Sequence, residues 1–290
     1  MNIRLDIEYD GAGFQGWQRQ PEGQPTIQAA LEDTLQKILN RRVVLYGASR
    51  TDSGVHAQSQ VANFYTEPGD PNIAPVKWRV ALNTALPPTI RITQAQEMPG
   101  DFHAQKDAAS KLYVYRILNR DFSSALDRRV FFYPGALDWD AMAAAMPYFV
   151  GTKDFRAFQA AGSTVLTTVR SIYRFDLVRE AECLYRFEIE GNGFLRQMVR
   201  NIMGTLVEVG ERKRKPSEMV DIFASQDRSQ AGRTLPARGL CLVCIHYPKF
   251  DRVNPRGSTH AGNANLSPVP GVSRPGHHHA LVYCSDPAWA

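Results

Sequence analysis

Apolar positions along the first hundred residues change period in a regular order. Ile3, Leu5, Ile7 and Tyr9 alternate with polar or charged residues, which predicts a half-buried strand. Thr26 is a fair N-cap for a helix that puts Ile27, Leu31, Leu35 and Ile38 on one face. Val43 to Leu45, and then Val61 to Tyr65, read as strands on either side of a polar turn. Pro75 opens a second helix carrying Trp78 and Leu82, which Pro87 and Pro88 stop before Ile90 and Ile92 begin another strand. From Lys111 the order restarts. Tyr113, Tyr115 and Ile117 share one face of a strand and Leu112, Val114 and Leu118 the other, which predicts a central place in a sheet. A helix over 141–149, paired strands over 169–178 and 183–190, a long amphipathic helix over 194–209, a shorter helix over 217–224 and a strand over 240–247 follow.

This order is β-α-β-β-α-β twice over. It predicts an α+β protein of two ferredoxin-like halves, joined in one continuous mixed or antiparallel sheet flanked by helices. A shared string supports the doubling: residues 8–14 (Glu8, Asp10, Gly11, Gly13, Phe14) line up with residues 188–194 (Glu188, Glu190, Gly191, Gly193, Phe194), a strand running into acid-Gly-x-Gly-Phe in both. The halves are expected over residues 1–104 and 105–248, the first with the polar turn and the second with a basic helix. Residues 254–275 are rich in Pro, Gly, Ser and Asn without periodicity, so 249–290 is expected to be a disordered tail.

Composition adds bounds. The chain has 290 residues and is 43% apolar, enough for substantial cores. There is no apolar run of about 18 residues and no charged-then-apolar leader before Ile3. A cytoplasmic protein without a membrane partner is the expectation. The formal net charge of +5 is too small by itself to argue for nucleic acid. Clustering says more: Arg196, Arg200, Arg212, Lys213, Arg214 and Lys215 stand against only Glu208 and Glu211, on one helix and its exit. That pattern suits either a solvated face or an RNA-contacting one.

Metal and nucleotide motifs are incomplete in the sequence. Cys241 and Cys244 have CxxC spacing but lie in an apolar strand with no second pair, and His56, His103 and His246 are scattered. The run His277-His278-His279 has no carboxylate or Cys spacing around it. No metal is expected. Gly11 and Gly13 follow a strand, yet no helix starts close behind them to receive a phosphate, and the Gly-Lys-Ser/Thr of a P-loop is absent. No cofactor is expected either. What remains is the turn over residues 49–57, with Arg50, Asp52 and Gly54 on a loop held by strands. Asp-Ser-Gly is also ordinary turn chemistry. Arg50 lies two residues from Asp52 in an extended segment, able to share its side and favour the charged form. An ionised carboxylate can serve as nucleophile or base.

The string Arg50-Thr51-Asp52-Ser53-Gly54-Val55-His56-Ala57 resembles the R-T-D-x-G-V-H-A motif of the tRNA pseudouridine synthase A family. Ser49 stands where the family usually has Gly, and Ser53 where it has Ala. Further blocks are similar: Asp10-Gly11-x-Gly13-Phe14-x-Gly16-Trp17-Gln18, then Asp101-Phe102-His103-Ala104, then Lys111-x-Tyr113-x-Tyr115. Gly151-x-x-Asp154-Phe155-x-x-Phe158, residues 193–204 (Gly193, Phe194, Leu195, Met198, Val199, Arg200, Asn201, Ile202, Gly204) and Ala237-x-Gly239-Leu240 complete the set. Gln105 and Gln197 depart from it, where the family commonly has Arg and His.

The resemblance implies an isomerase, a tRNA pseudouridine synthase acting on uridines at about positions 38–40 of the anticodon stem-loop, reached by base flipping. By the same resemblance Asp52 is catalytic, Tyr113 packs on the target uracil, Arg200 pairs with Asp52, Arg50 takes the space of the flipped nucleotide, and Phe194 joins the substrate-binding set. Neither metal nor cofactor is implied, and a homodimer binding tRNA is. A hydrolytic glycosidase uses two carboxylates around a water. An isomerisation that breaks the uracil–ribose C–N bond and rejoins the base through C5 can use one, in a dry pocket. Two rival readings stand beside this one. Asp52-Ser53-Gly54 resembles the aspartic-protease motif, without the second copy those enzymes need. A non-catalytic RNA-binding module of doubled ferredoxin-like form would have no use for Asp52.

Overall fold

A computed structural model describes residues 1–163 and 165–250. Strands β1 (Asn2–Tyr9), β2 (Tyr46–Gly47), β3 (His56–Tyr65) and β4 (Ile90–Met98), with helices α1 (Ile27–Leu39) and α2 (Trp78–Ala85), make the first half. The second holds β5 (Ser110–Asn119), β6 (Phe131–Tyr133), α3 (Trp139–Ala145), β7 (Gly151–Asp154), β8 (Val169–Ala181), β9 (Leu184–Gly191), α4 (Met198–Gly210), α5 (Met219–Ser225) and β10 (Leu240–His246). All ten strands join one sheet, in the order β4-β1-β3-β10-β5-β9-β8-β7, with β2 added to β3 and β6 to β5. Each half therefore runs fourth, first, third, second across the sheet: β4-β1-β3-β2 and β10-β5-β9-β8. This is the ferredoxin-like order expected from the sequence. Residues Met1–Tyr247 form one compact unit.

The two halves meet where β10 runs parallel to β3, with Cys241 opposite His56 and Leu242 opposite Ala57. That junction explains the shortness of β2. One edge of β3 is divided: β2 takes its far end, pairing Tyr46 with Asn63 and Gly47 with Ala62, and β10 takes its beginning. The strand expected over Val43–Leu45 is absent for the same reason. Val43 and Leu45 bury their side chains without a ladder partner, while Val44 is 57% exposed. Alternation there reported burial rather than pairing.

The first half's core lies on the face of β1 that carries Ile3, Leu5 and Ile7. Phe64, opposite Ile3, meets Trp78 of α2 edge to face at 5.1 Å, and Ile27, Leu31 and Leu35 of α1 are fully buried. Thr26 caps α1 by accepting from the Ala29 amide at 3.2 Å. In the second half β5 is central, between β10 and β9, as its two apolar faces predict. Its second face is less apolar than expected. Arg116 there binds Glu180, within a ladder that continues through Arg186, Glu188 and Arg174.

Two other expectations change. The long helix begins at Met198 rather than 194, because Gln197 takes a left-handed conformation (φ 60°) and Phe194–Gln197 form an irregular approach. It is also not a basic helix. Every residue of α4 except Arg200 and Glu208 is buried; Arg196 precedes it, and Arg212, Lys213 and Arg214 follow it, paired with Asp138, Glu211 and Glu208. The repeated string also proves non-equivalent. Residues 8–14 leave the first strand of one half and residues 188–194 the third strand of the other. The expected tail, beyond residue 250, lies outside the described residues.

A strap over residues 228–235 is keyed to α4. Asn201 Oδ1 accepts from Arg228 at 3.0 Å and from Thr234 at 2.6 Å, and the Gly232 amide donates to Thr205 Oγ1 at 2.8 Å. Gly204 lets the strap this close: a Cβ there would sit 1.6 Å from the carbonyl oxygen of Arg233. Gly204→Ala should therefore destabilise the fold by about 1–3 kcal/mol, the range for overpacking, lowering the urea midpoint. Gly100→Ala, with nothing within 4 Å of its Cβ, should leave it unchanged.

Candidate active site

Between β2 and β3 the chain leaves the sheet at the point where the edge of β3 passes from β2 to β10. Residues 48–55 make that excursion, and they are fastened at both ends. Gln60 of β3 accepts from the Ser49 amide at 3.2 Å and donates to the Ser49 carbonyl at 2.7 Å. Thr51 Oγ1 and Tyr9 Oη lie 2.8 Å apart, and the Trp17 amide donates to the Thr51 carbonyl at 3.1 Å. Ser53 Oγ and the Gly54 amide both donate to the Phe14 carbonyl. The glycine-rich loop after β1 is thus the bed of this turn. Gly16 (φ 88°) is required there, since a Cβ would lie 2.6 Å from the Thr51 oxygen.

Asp52 is held over the second half by this loop. Its Oδ2 accepts from an Arg200 terminal nitrogen at 3.2 Å, with side-chain exposures of 18% and 14%. Among the described residues this is the carboxylate's one hydrogen bond, so its other oxygen remains available. Arg200 cannot swing away freely. Its Nε donates to the Leu235 carbonyl at 2.7 Å, and the Leu235 amide returns a bond to the Arg200 carbonyl at 3.2 Å. The Gly204-dependent strap therefore aims the guanidinium.

Tyr113 of β5 lies below the same loop. Its hydroxyl and Ser49 Oγ are 2.8 Å apart, and its ring meets Phe194 edge to face at 5.1 Å. Burial pushes the phenol of Tyr113 up, Ser49 draws it down less, and the charge of Asp52 adds to the rise. Burial likewise raises Tyr9 and Tyr115.

These groups line a cleft of about 840 Å³. Its wall carries five cationic side chains (Arg50, Lys111, Arg170, Arg196 and Arg200) and one carboxylate, Asp52. Burial, then the nearby Arg170 charge, bring Lys111 down to about 8. Asp52, Arg50, Tyr113, Arg200 and Phe194, all singled out in the sequence, share this wall. So do Gln105 and Gln197, the two departures from the family pattern. The sequence reading missed Ser49 as the partner of Tyr113 and missed the cations Lys111, Arg170 and Arg196 as part of the site. Strand alternation could have found Lys111, two residues before Tyr113 on one face. Nothing local marks Arg170, which comes from β8, two strands away from β5.

Among the described residues, no three His, Cys, Asp or Glu side chains are grouped as metal ligands, and no helix is long and apolar enough to cross a membrane. Cys241, of the CxxC string, is half-buried, and desolvation pushes its thiol up to about 12.

Fold and cleft together define a doubled ferredoxin-like protein with a solitary carboxylate in a cationic groove. The sequence pattern of the family described as tRNA pseudouridine synthase matches residues 7–107 and 145–248, and the chain belongs to that family. A tRNA pseudouridine synthase A of Geobacter sp. (strain M21) is 44% identical over 250 residues, covering 86% of this chain and 99% of that one. Those of Acetivibrio thermocellus and Bdellovibrio bacteriovorus are 46% and 41% identical over 247 and 252 residues, covering 85% of this chain and 99% and 95% of theirs.

The buried tyrosines predict an alkaline limit. In the unfolded chain each phenol loses its proton near about pH 10, but the folded protein holds it to higher pH. Above pH 10 the native state thus binds more protons than the unfolded one, and stability falls as pH rises, by up to about 1.4 kcal/mol per pH unit per group. Below pH 10 this contribution is fully present. Urea unfolding of Tyr113→Phe between about pH 9 and 11 should show a shallower decline than wild type.

Proposed function

We propose that this protein converts uridine to pseudouridine in tRNA, at about positions 38–40 of the anticodon stem-loop, through a flipped-out base. One observation carries the reading: a single carboxylate, Asp52, bonded to Arg200 at 3.2 Å in a cleft whose other charges are all positive. The cations suit a polyanionic strand. The lone acid suits a reaction that needs one.

The reaction conserves atoms. The bond from ribose C1′ to uracil N1 breaks, the base turns within the cleft, a bond from C1′ to C5 forms, and the C5 proton leaves for N1 by way of solvent or a side chain. Asp52 serves either as the nucleophile that carries the ribose or as the base that removes a proton. Arg200 pairs with the acid and keeps it aimed, because its own Nε is committed to Leu235. Tyr113 gives the uracil a fixed ring to turn against, its hydroxyl tied to Ser49 and its ring braced by Phe194. Arg50, exposed on the cleft wall, fills the stack that the flipped uridine leaves. Residues 1–104 supply the acid and residues 105–248 the clamp, as two domains of one enzyme. The enzyme acts in the cytoplasm as a homodimer, whose two cationic clefts grip tRNA by shape and backbone.

Asp52→Ala should lower pseudouridine formation in tRNA transcripts at least about a thousandfold and leave the Kd for tRNA within a few-fold of wild type. Retained activity would falsify the catalytic assignment, and lost binding with intact folding would make Asp52 a binding residue. The affinity of wild type should fall steeply between about 50 and 200 mM salt. Sedimentation at micromolar concentration should give twice the 32.5 kDa chain mass; a monomer would remove the dimer from this account.

A further inference from the structure

Of the five cations on the cleft wall, Arg200 is matched by Asp52, and Arg50 and Arg196 are exposed to water. Lys111 and Arg170 differ from all three. Both are half-buried, and neither forms an ion pair with a carboxylate among the described residues. Lys111 lies at the start of β5 opposite Gly191, and the acids of β9, Glu188 and Glu190, register with Val114 and Leu112 on the other face of the sheet. Arg170 commits one terminal nitrogen, Nη1, to the neutral carbonyls of Thr167 and Val169, at 2.9 and 2.6 Å, and its Nε lies 3.6 Å from where a side chain on Gly193 would start. The two cations repel each other in surroundings drier than bulk water. Holding like charges together there is unfavourable in the empty cleft. A bound anion reverses that sign and is attracted by both.

Shape selects the anion. The pair stands on the same wall as Tyr113 and Phe194, two residues along β5 from the one and beside the glycine that precedes the other. A base seated against Tyr113 carries its ribose toward Asp52, and the backbone phosphate next to that ribose must run along this wall. We propose that Lys111 and Arg170 form a subsite for one phosphodiester of the RNA strand adjoining the uridine that meets Tyr113 and Asp52. This rests on the reading of the cleft as a tRNA uridine site. It assigns the pair a positioning role, since they fix how deep the nucleotide sits without touching the atoms that react.

The test uses the full chain, tRNA transcripts, and the same tRNA carrying a single methylphosphonate at each linkage around the target uridine. Lys111→Met and Arg170→Gln should each raise KM about tenfold, the usual loss for a charged hydrogen bond, with kcat within about threefold of wild type. The plot of log Kd against log salt should become shallower by about 0.7 per cation removed. Lys111→Arg should recover most of the loss. One methylphosphonate linkage should weaken wild type at least about tenfold and weaken Lys111→Met by a clearly smaller factor, because only Arg170 is left to lose its partner. An unchanged KM, a loss confined to kcat with the salt slope intact, or additive effects of variant and linkage would each overturn the subsite. Thermal melts of Arg170→Gln and Lys111→Met separate misfolding from lost contact, because only a folded variant enters the comparison. The Kd measurements need no turnover. If wild type bound the transcripts but made no pseudouridine, the proposed activity would fail while the phosphate subsite would still be decided by the binding data.

Discussion

One guanidinium ties the two halves of this molecule together where its chemistry lies. Arg200 and Asp52 are 148 positions apart and belong to different ferredoxin-like units, yet they meet at 3.2 Å. Such a pair gains little if either member is free to wander, since ordering two side chains costs entropy. Here the cost is met in advance on both sides. The acid's loop is pinned by Gln60, Tyr9, Trp17 and Phe14, and the guanidinium by Leu235 on a strap that is itself locked into α4. The geometry is thus a property of two packed frameworks, not of the pair alone.

The electrostatic setting follows from the same arrangement. A lone carboxylate among five cations leaves the groove with a net positive charge and an attraction for polyanions. A second acid on that wall would have weakened both effects. The acids of β8 and β9 are drawn off to the other face of the sheet, where Glu180 and Glu188 pair with Arg116, Arg174 and Arg186. Strand alternation performs this sorting: successive residues of β5 and β9 point to opposite faces, so anionic and cationic duties are separated by one position in the chain.

Much of this could be read from the chain before its folding was known. The alternation of β1, the cap on α1, the Trp78 helix and the two-sided β5 all gave the right elements, because each is decided by local periodicity and capping. The errors share a cause. Val43–Leu45 looked like a strand because burial and pairing produce the same pattern of side chains, and only the competition of β10 for the edge of β3 tells them apart. The apolar residues Phe194 and Leu195 lengthened the apparent helix, since a left-handed residue such as Gln197 leaves no mark in hydrophobicity. In the site, Asp52, Arg50, Tyr113, Arg200 and Phe194 stood out through family motifs. Arg170 did not, because its place depends on three strands lying side by side.

The position of β10 has a consequence for how the chain reaches its working form. The strand drawn from residues 240–246 does not lie at the border of the sheet but in its middle, between β3 and β5. During synthesis the first unit can collapse around α1 and α2 long before this strand leaves the ribosome, yet it must wait with one side of β3 largely uncovered. Until the last strand slots in, β3 and β5 each present raw hydrogen-bonding edges, the kind that recruit strangers. The same insertion that joins the two units thus also ends the period in which the nascent protein is most liable to stick to its neighbours.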